Sequence, residues 1–155
     1  MADRLLPEVV AQHDHDGSRS CRRGDSVSGA RRCPCGRGDA YDECCGPVLR
    51  GERPAATAEA LMRSRYTAFA VGDADYLLRS WHPRTRPREL TLDPAQRWLF
   101  LEITRTDRGG LFDETGTVEF VAHYRDADGR GALHEISRFA RSDGAWVYLD
   151  GTHDA

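Results

Sequence analysis

Four cysteines carry the clearest chemistry in this sequence, and they fall within thirteen residues as Cys33, Cys35, Cys44 and Cys45. Thiolates are soft ligands, and four of them close a tetrahedral site around zinc with no open coordination position. One residue separates the first two cysteines and none separates the second two, whereas zinc knuckles usually use about two to four. Both pairs must therefore lie in irregular backbone. The pattern predicts a structural Zn²⁺ site that does not itself catalyse a reaction.

Two alternatives to a metal are a pair of disulfides or four unrelated buried thiols. Residues 1–12 lack a basic segment followed by a long apolar run, so no secretory signal is predicted. We therefore expect a cytoplasmic protein, and a reducing cytosol disfavours disulfides. Residues 1–31 are rich in Asp, Arg, Ser and Gly and are predicted to form a disordered tail. Cys21 would be a free thiol there, and His13 and His15 would bind metal only adventitiously.

A second set of candidate residues needs a helix and a sheet to bring it together. Thr57 is a plausible N-cap and Gly72 a stop for a helix whose apolar arc contains Leu61, Met62, Tyr66 and Phe69. Arg65 falls in the same arc, so it requires an acidic partner if it is buried. A second helix, residues 74–81, is predicted to turn three large apolar residues inward: Leu77, Leu78 and Trp81.

From Trp98 onward the period becomes two, which predicts four antiparallel strands at residues 98–105, 117–125, 132–141 and 145–150. The first is apolar on both faces, as in a central strand. Two-residue turns at Asp128-Gly129 and Asp143-Gly144 would set the register. The pairs would then be Ala122 with Glu135, Phe120 with Ser137, Phe139 with Tyr148, and Ser137 with Asp150.

This register places Glu135 and Asp150 on the aromatic face that packs on the helices, close to Arg65. The predicted cluster between sheet and helices comprises Arg65, Tyr66, Trp81, Glu135, Ser137, Tyr148 and Asp150. One interpretation is a ligand pocket with acid–base groups. The other is a buried Arg65–Glu135 ion pair that fixes how helix and sheet dock. No nucleophile elbow, phosphate loop or catalytic dyad accompanies the cluster, so no catalytic residue is assigned and an enzyme is the less favoured interpretation.

The spacing Cys-x-Cys-x8-Cys-Cys, headed by CPCG, resembles the SEC-C motif found at the C-terminus of the SecA translocase. Residues 58–69 (AEALMRSRYTAF), 81–83 (WHP) and 146–151 (WVYLDG) look like the YchJ family of bacterial proteins. The resemblance implies a zinc knuckle at residues 32–49 joined to a nuclear-transport-factor-like α+β cone at residues 55–151. Two features depart from the pattern. Asp39, Asp42 and Glu43 stand where such knuckles carry lysines, and no second cysteine knuckle follows.

The fold class predicted is therefore α+β, with a short zinc knuckle and a helical hairpin packed on a four-stranded antiparallel meander. All 22 cations are arginine, which excludes lysine chemistry, and the net charge of −3 disfavours duplex nucleic acid. No apolar run approaches the roughly 18 residues of a membrane span.

The first functional hypothesis is an adaptor that displays the knuckle to a protein partner. Charged residues would surround that knuckle: Arg31, Arg32, Arg37, Asp39, Asp42 and Glu43. By resemblance the partner would belong to translation or protein export. The alternative is a small-molecule or enzymatic pocket around Arg65, Glu135, Tyr148 and Asp150. The outer sheet face is a candidate homodimer surface through four apolar residues: Val121, Ile136, Val147 and Leu149.

Overall fold

The structure, a computed structural model, describes residues 31–153. The predictions made for the N-terminal tail, including those for His13, His15 and Cys21, lie outside the described residues. The first elements of secondary structure are a 3-10 helix at Tyr41–Glu43 and helix α1 at Cys45–Leu49. Helices α2 at Ala58–Val71 and α3 at Ala74–Arg79 follow.

Helix α2 begins and ends where its sequence signals predict. The Thr57 side chain accepts a hydrogen bond from the Ala60 N–H at 3.0 Å, and Gly72 ends the helix in the left-handed region at φ +80°. Its buried face includes Leu61, Met62 and Arg65. The position of α2 between sheet and cysteine loop means that two of its faces are covered.

Helix α3 ends at Arg79, two residues before the predicted end at Trp81. The Ser80 hydroxyl donates to the Tyr76 carbonyl, and the chain then pairs with the last strand instead of continuing the helix. Tyr148 N–H donates to the Ser80 carbonyl at 2.8 Å, and His82 N–H donates to the Tyr148 carbonyl at 2.7 Å. These bonds hold Trp81 against the sheet.

Four strands form one antiparallel sheet in the order β1-β2-β3-β4, which confirms the predicted meander. They are β1 at Arg97–Arg108, β2 at Thr115–Asp126, β3 at Gly129–Ser142 and β4 at Ala145–His153. The prediction that the first strand is central is wrong, because β1 is an edge strand. Its second apolar face is only partly covered: Phe100, 49% exposed, stacks on His123 with ring centroids 3.9 Å apart.

The turn between β2 and β3 lies one residue earlier than predicted, yet each side chain of the two strands stays on its predicted face of the sheet. Asp126 pairs with Gly129, so the turn residues are Ala127 and Asp128, not Asp128 and Gly129. The Asp126 carboxylate accepts from the Asp128 N–H at 2.8 Å and so fixes this turn. Cross-strand partners therefore move by two residues, and a shift of two leaves every side chain on its predicted face.

The resulting partners correct two of the predicted pairs. Phe120 lies opposite Glu135 instead of Ser137, and Ala122 lies opposite Leu133 instead of Glu135.

The turn between β3 and β4 is the predicted Asp143-Gly144 hairpin, and Phe139 lies opposite Tyr148 as expected. A bulge then interrupts the ladder, because Arg138 pairs with Asp150 and leaves Leu149 as an extra residue. Beyond the bulge, Ser137 lies opposite Gly151, not opposite Asp150. The predicted position of Asp150 on the inner face is therefore wrong.

Two buried clusters share helix α2. One lies between α2 and the sheet and includes Phe139, Val118, Phe120 and Tyr66. The other lies between the cysteine loop and the two longer helices and includes Leu49, Ala68, Tyr76 and Leu77 with the four clustered cysteines. Because α2 contributes to both clusters, the cysteine loop is part of the same folded body as the sheet.

Candidate functional site

The four cysteine sulfurs come together at one point between the loop and helix α2. All four Sγ atoms lie within 4.8 Å of one another; Cys35 and Cys44 are 3.6 Å apart, and Cys44 and Cys45 are 4.0 Å apart. Each of the four residues is at most 7% exposed. The structure thus brings the predicted ligand residues Cys33, Cys35, Cys44 and Cys45 into one closed cluster.

Local backbone geometry explains how such short spacings converge. Cys33 N–H donates to the Asp39 carbonyl at 2.8 Å, which closes the loop across its base. Gly36 and Gly38 turn the chain at φ +81° and φ +98°, a region that side chains with a Cβ disfavour. Cys44 precedes α1 with non-helical angles, φ −118° and ψ −102°, so its sulfur can turn toward that of Cys45.

The donor set fits a tetrahedral metal. With a metal–sulfur bond of about 2.3 Å, sulfur atoms at tetrahedral corners lie about 3.8 Å apart, which is close to the two distances above. Burial raises the pKa of Cys44 to about 12, and the hydrogen bond with Cys33 raises the pKa of Cys45, whereas hydrogen bonds with Cys35 and Cys45 hold the pKa of Cys33 far below its usual range. A divalent cation at the centre would favour the thiolate form of all four, because it stabilises thiolates directly.

Side chains around the cluster tie it to helix α2. The Arg63 guanidinium donates to the Cys35 carbonyl at 2.7 Å, and the Thr67 hydroxyl lies 3.5 Å from the Cys33 sulfur. Arg53 donates to the Cys44 carbonyl, also at 2.7 Å. Sequence reasoning missed these residues, although helical spacing places Arg63 and Thr67 together on a face of α2 away from its apolar arc. That polar face contacts the cysteine loop.

The second predicted cluster assembles around Arg65, which is 4% exposed, but without the predicted ion pair. Arg65 donates to the Leu77 carbonyl at 2.8 Å and to the Ser80 hydroxyl at 2.7 Å. Its guanidinium carbon lies 5.0 Å from the Trp81 ring centroid and 4.5 Å from that of Tyr148. A carbonyl, a hydroxyl and two ring faces therefore take the place of a carboxylate. Desolvation lowers the pKa of Arg65 to about 10.

Glu135, 7% exposed, has its own partners. One carboxylate oxygen accepts from the Ser137 hydroxyl at 2.7 Å and from the Tyr148 hydroxyl at 3.0 Å. The other oxygen lies 3.4 Å from His153 Nε2. Burial raises the pKa of Tyr148 above its usual range. Tyr148 thus links the two buried charges, with its ring on Arg65 and its hydroxyl on Glu135.

These groups line one end of a cavity of about 100 Å³ between α2 and the sheet. Six of the seven predicted cluster residues line it: Arg65, Tyr66, Trp81, Glu135, Ser137 and Tyr148. Asp150 does not. It accepts from Arg138 Nε at 2.6 Å on the opposite face, because of the bulge at Leu149. Gly151 and His153 also line the cavity and were missed, since the predicted strand ended at residue 150.

The outer face of the sheet carries two histidine–carboxylate contacts among its apolar residues. His123 Nε2 lies 2.8 Å from a Glu102 carboxylate oxygen, and His134 Nε2 lies 3.5 Å from one of Glu119. Ile136 is 38% exposed, whereas Val147 is buried. The homodimer through this face stays a prediction. Within residues 31–153, no helix is both long and apolar enough to cross a membrane.

Fold and site define a class: a nuclear-transport-factor-like α+β domain joined to a cysteine knuckle. The family profile described as "YchJ, middle NTF2-like domain" matches residues 57–151. A UPF0225 protein of Streptomyces coelicolor is 61% identical over 119 residues, which cover 77% of this chain and 93% of that protein. A UPF0225 protein of Deinococcus radiodurans is 49% identical over 76% of this chain and 86% of its own length. The chain belongs to the YchJ family.

Two solved structures share the fold over about four fifths of this chain. The solution structure of a SEC-C motif containing protein from Rhodopseudomonas palustris has a TM-score of 0.70 and 35% identity, and covers 80% of this chain and 99% of that one. The crystal structure of a SEC-C motif containing protein from Psychrobacter arcticus has a TM-score of 0.65 and 29% identity, over 81% and 84%. Both resemblances agree with the SEC-C and YchJ patterns read from the sequence.

Proposed function

We propose that the four cysteines bind one Zn²⁺ ion as a structural knuckle, and that the knuckle serves as a protein-docking element of a cytoplasmic adaptor. The observation that carries the proposal is the closed cluster of four buried sulfurs. A metal with four thiolate ligands has no position for water or substrate, so its contribution is to the shape of the loop. Zinc is the metal that such a set most commonly holds, since it has no redox chemistry and accepts tetrahedral sulfur.

The surface around the cluster supports docking. Arg37 is 51% exposed at its side chain and Asp42 is 82% exposed, and both lie in the loop that the cysteines shape. Charged groups fixed by a rigid scaffold favour selection of partners by charge complementarity. By its resemblance to the SEC-C motif, the partner belongs to the translation or export machinery. Arg50 already pairs with Asp42 at 3.2 Å, so Asp39 and Glu43 are the exposed acidic residues of the knuckle that we expect basic residues of a partner to meet.

Metal content tests the first half of the proposal. Native mass spectrometry of protein purified from its own host is expected to give one zinc per chain, whereas Cys44→Ser is expected to lose the ion. The matched control is Cys21→Ser, which keeps all four clustered cysteines and should keep the zinc. A wild-type chain that is fully folded without any metal would contradict the proposal.

Partner capture tests the second half. Cross-linking in a host lysate is expected to recover a defined set of proteins with the wild type and to lose it with Arg37→Glu combined with Asp42→Arg. Arg130→Glu, a charge reversal at the β2–β3 turn, should leave that set unchanged. Both variants must retain zinc for the comparison to count. Recovery of the same proteins with all three chains would show that the knuckle surface is not the docking element.

A further inference from the structure

Three arginines lie side by side across the outer face of the sheet. Arg97 of β1 lies opposite Arg125 of β2, and Arg125 lies opposite Arg130 of β3. Arg125 follows His123 by two residues on the same strand, so both project from the outer face. All three arginines are exposed, and we call them the Arg row. Because like charges directly opposite one another destabilise a sheet, the sheet itself does not favour this arrangement.

Within residues 31–153, no group neutralises the Arg row. No carboxylate oxygen there lies within 4.0 Å of its guanidinium groups, and none of the three side chains donates a hydrogen bond to a described residue. Two carboxylates at adjoining positions have other contacts. Glu102 lies 2.8 Å from His123, and Asp126 accepts from the Asp128 N–H. Guanidinium groups bind phosphate in a bidentate manner, so the row can receive an anionic group from outside the chain.

An aromatic surface adjoins the Arg row. Phe100 lies opposite His123, at the next outward position along the two strands. The two rings stack with centroids 3.9 Å apart and planes 16° apart, yet Phe100 remains 49% exposed. His123 covers one face of the Phe100 ring, so the exposed part includes the other face. Two residues of an antiparallel strand rise about 7 Å, so one nucleotide can place its phosphate on the row and its base on Phe100.

We propose that this part of the outer sheet face binds single-stranded nucleic acid. The arginines of the row donate to backbone phosphates, and a base stacks on the free face of Phe100. The bases of a duplex are already stacked on one another, so only a single strand satisfies both parts of the surface. The attraction is local, because the whole chain carries a net charge of −3. This surface is separate from the cysteine cluster and does not depend on the docking proposal.

Fluorescence anisotropy of labelled oligoadenylate, titrated with the full chain as purified, tests the proposal. The probe has about 12 nucleotides, within the range of known single-strand sites, and is used in ribose and deoxyribose forms. We expect a Kd on the order of 10–100 μM at about 100 mM salt. Three phosphate contacts predict a slope of about −2 for the logarithm of affinity against the logarithm of salt, or roughly 100-fold weaker binding for tenfold more salt. A preference between the two forms would show whether the 2′-hydroxyl takes part, and either result supports the proposal.

Charge variants test the Arg row. Arg97→Gln combined with Arg130→Gln should reduce the salt slope to about −0.7, because one phosphate contact remains. The control combines Arg84→Gln with Arg86→Gln and removes the same charge. These two residues follow His82, which is bonded to β4, at the opposite edge of the sheet from β1. The control should keep a slope near −2.

A ring variant tests stacking separately from charge. Phe100→Ala should weaken binding at least about fivefold, the factor that corresponds to the lower limit for a base stacked on an aromatic ring, and should leave the salt slope unchanged. Ile136→Ala removes another exposed apolar side chain of the outer face and should not change binding.

Several results would overturn the proposal. They are no binding of oligoadenylate, equal salt slopes for the Arg row variant and its control, or full affinity in Phe100→Ala. Inorganic polyphosphate that displaces the probe as well as unlabelled oligoadenylate does would show a general anion site instead. A dimer in sedimentation that Phe100→Ala dissociates, without any binding of oligoadenylate, would assign this surface to a second copy of the chain.

Discussion

Replacing Gly151 with alanine tests the packing at the polar end of the cavity. The backbone at Gly151 lies outside the left-handed region, so only steric contact opposes a side chain there. An added Cβ would lie 1.9 Å from a Glu135 carboxylate oxygen, 2.5 Å from its carboxyl carbon and 2.9 Å from the Tyr148 hydroxyl. All three contacts are far inside van der Waals distance, so Glu135 must move.

The expected loss of stability follows from what that movement breaks. Overpacking of a buried site typically costs about 1–3 kcal/mol. A hydrogen bond to a charged group contributes about 1.5–3 kcal/mol, and displacement of Glu135 weakens the bonds it accepts from Ser137 and Tyr148. The protein can relax part of this strain, because the site adjoins a cavity. We therefore expect Gly151→Ala to lower the free energy of unfolding by about 2–4 kcal/mol.

Urea unfolding of the protein as purified, followed by tryptophan fluorescence, measures this change. A double-mutant cycle with Glu135→Ala isolates the contact with the carboxylate, because truncation of Glu135 removes the two closest atoms that the new methyl group would meet and leaves only the Tyr148 hydroxyl at 2.9 Å. In that background Gly151→Ala should cost no more than about 1 kcal/mol, the low end for overpacking. Equal costs in the two backgrounds would refute the explanation, as would a wild-type stability for Gly151→Ala alone.

Four further results are expected. If the cysteine cluster holds the proposed zinc, a chelator should unfold the cysteine loop and raise amide hydrogen exchange in α2, since structural zinc supplies roughly 10–16 kcal/mol of apparent binding free energy. Thr57→Ala should lower the free energy of unfolding by about 1 kcal/mol in urea, whereas Thr57→Ser should not, because serine retains the cap. Burial raises the pKa of Tyr66 to about 12, so the contribution of Tyr66 to the free energy of unfolding should be full below about pH 10 and should fall as the pH approaches 12. Urea unfolding at each pH measures that contribution, and absorbance at 295 nm follows the ionisation of tyrosine over the same range. The hydrogen bond from Arg138 lowers the pKa of Asp150, so its contribution should be present above about pH 4, be lost on acidification and be absent in Asp150→Asn.

Local signals were sufficient to predict the elements of the fold. The cap at Thr57, the stop at Gly72 and the Asp143-Gly144 hairpin are short-range features whose physics lies in a few adjacent residues. Alternation of apolar and polar residues likewise placed Glu135 and Ser137 on the inner face. The same alternation could not predict which strand lies at the edge of the sheet. Strand order is a long-range property, and the apolar outer residues of β1 gave the appearance of a strand covered on both sides.

The contacts of Arg65 show a second limit of prediction from the sequence, because its partners depend on where α3 ends. Helical spacing indicated that this arginine is buried, and a carboxylate is the partner that charge alone would select. The partners observed, the Leu77 carbonyl and the Ser80 hydroxyl, become available because α3 ends at Arg79. That early end depends on the pairing of Ser80 and His82 with Tyr148. No pattern in the sequence of α3 itself reports a hydrogen bond to a strand almost seventy residues later.

The bulge at Leu149 decides the electrostatics of the interior. In an uninterrupted register Asp150 would join Glu135 on the inner face, and two desolvated carboxylates would face the single cation of Arg65. An uncompensated charge in such a site costs several kcal/mol. The extra residue moves Asp150 to the outer face, where Arg138 neutralises it, and brings Gly151 to the inner face in its place. Because glycine has no side chain, Glu135 can lie against the β4 backbone and accept from Tyr148, so the same bulge balances the charge and shapes the cavity.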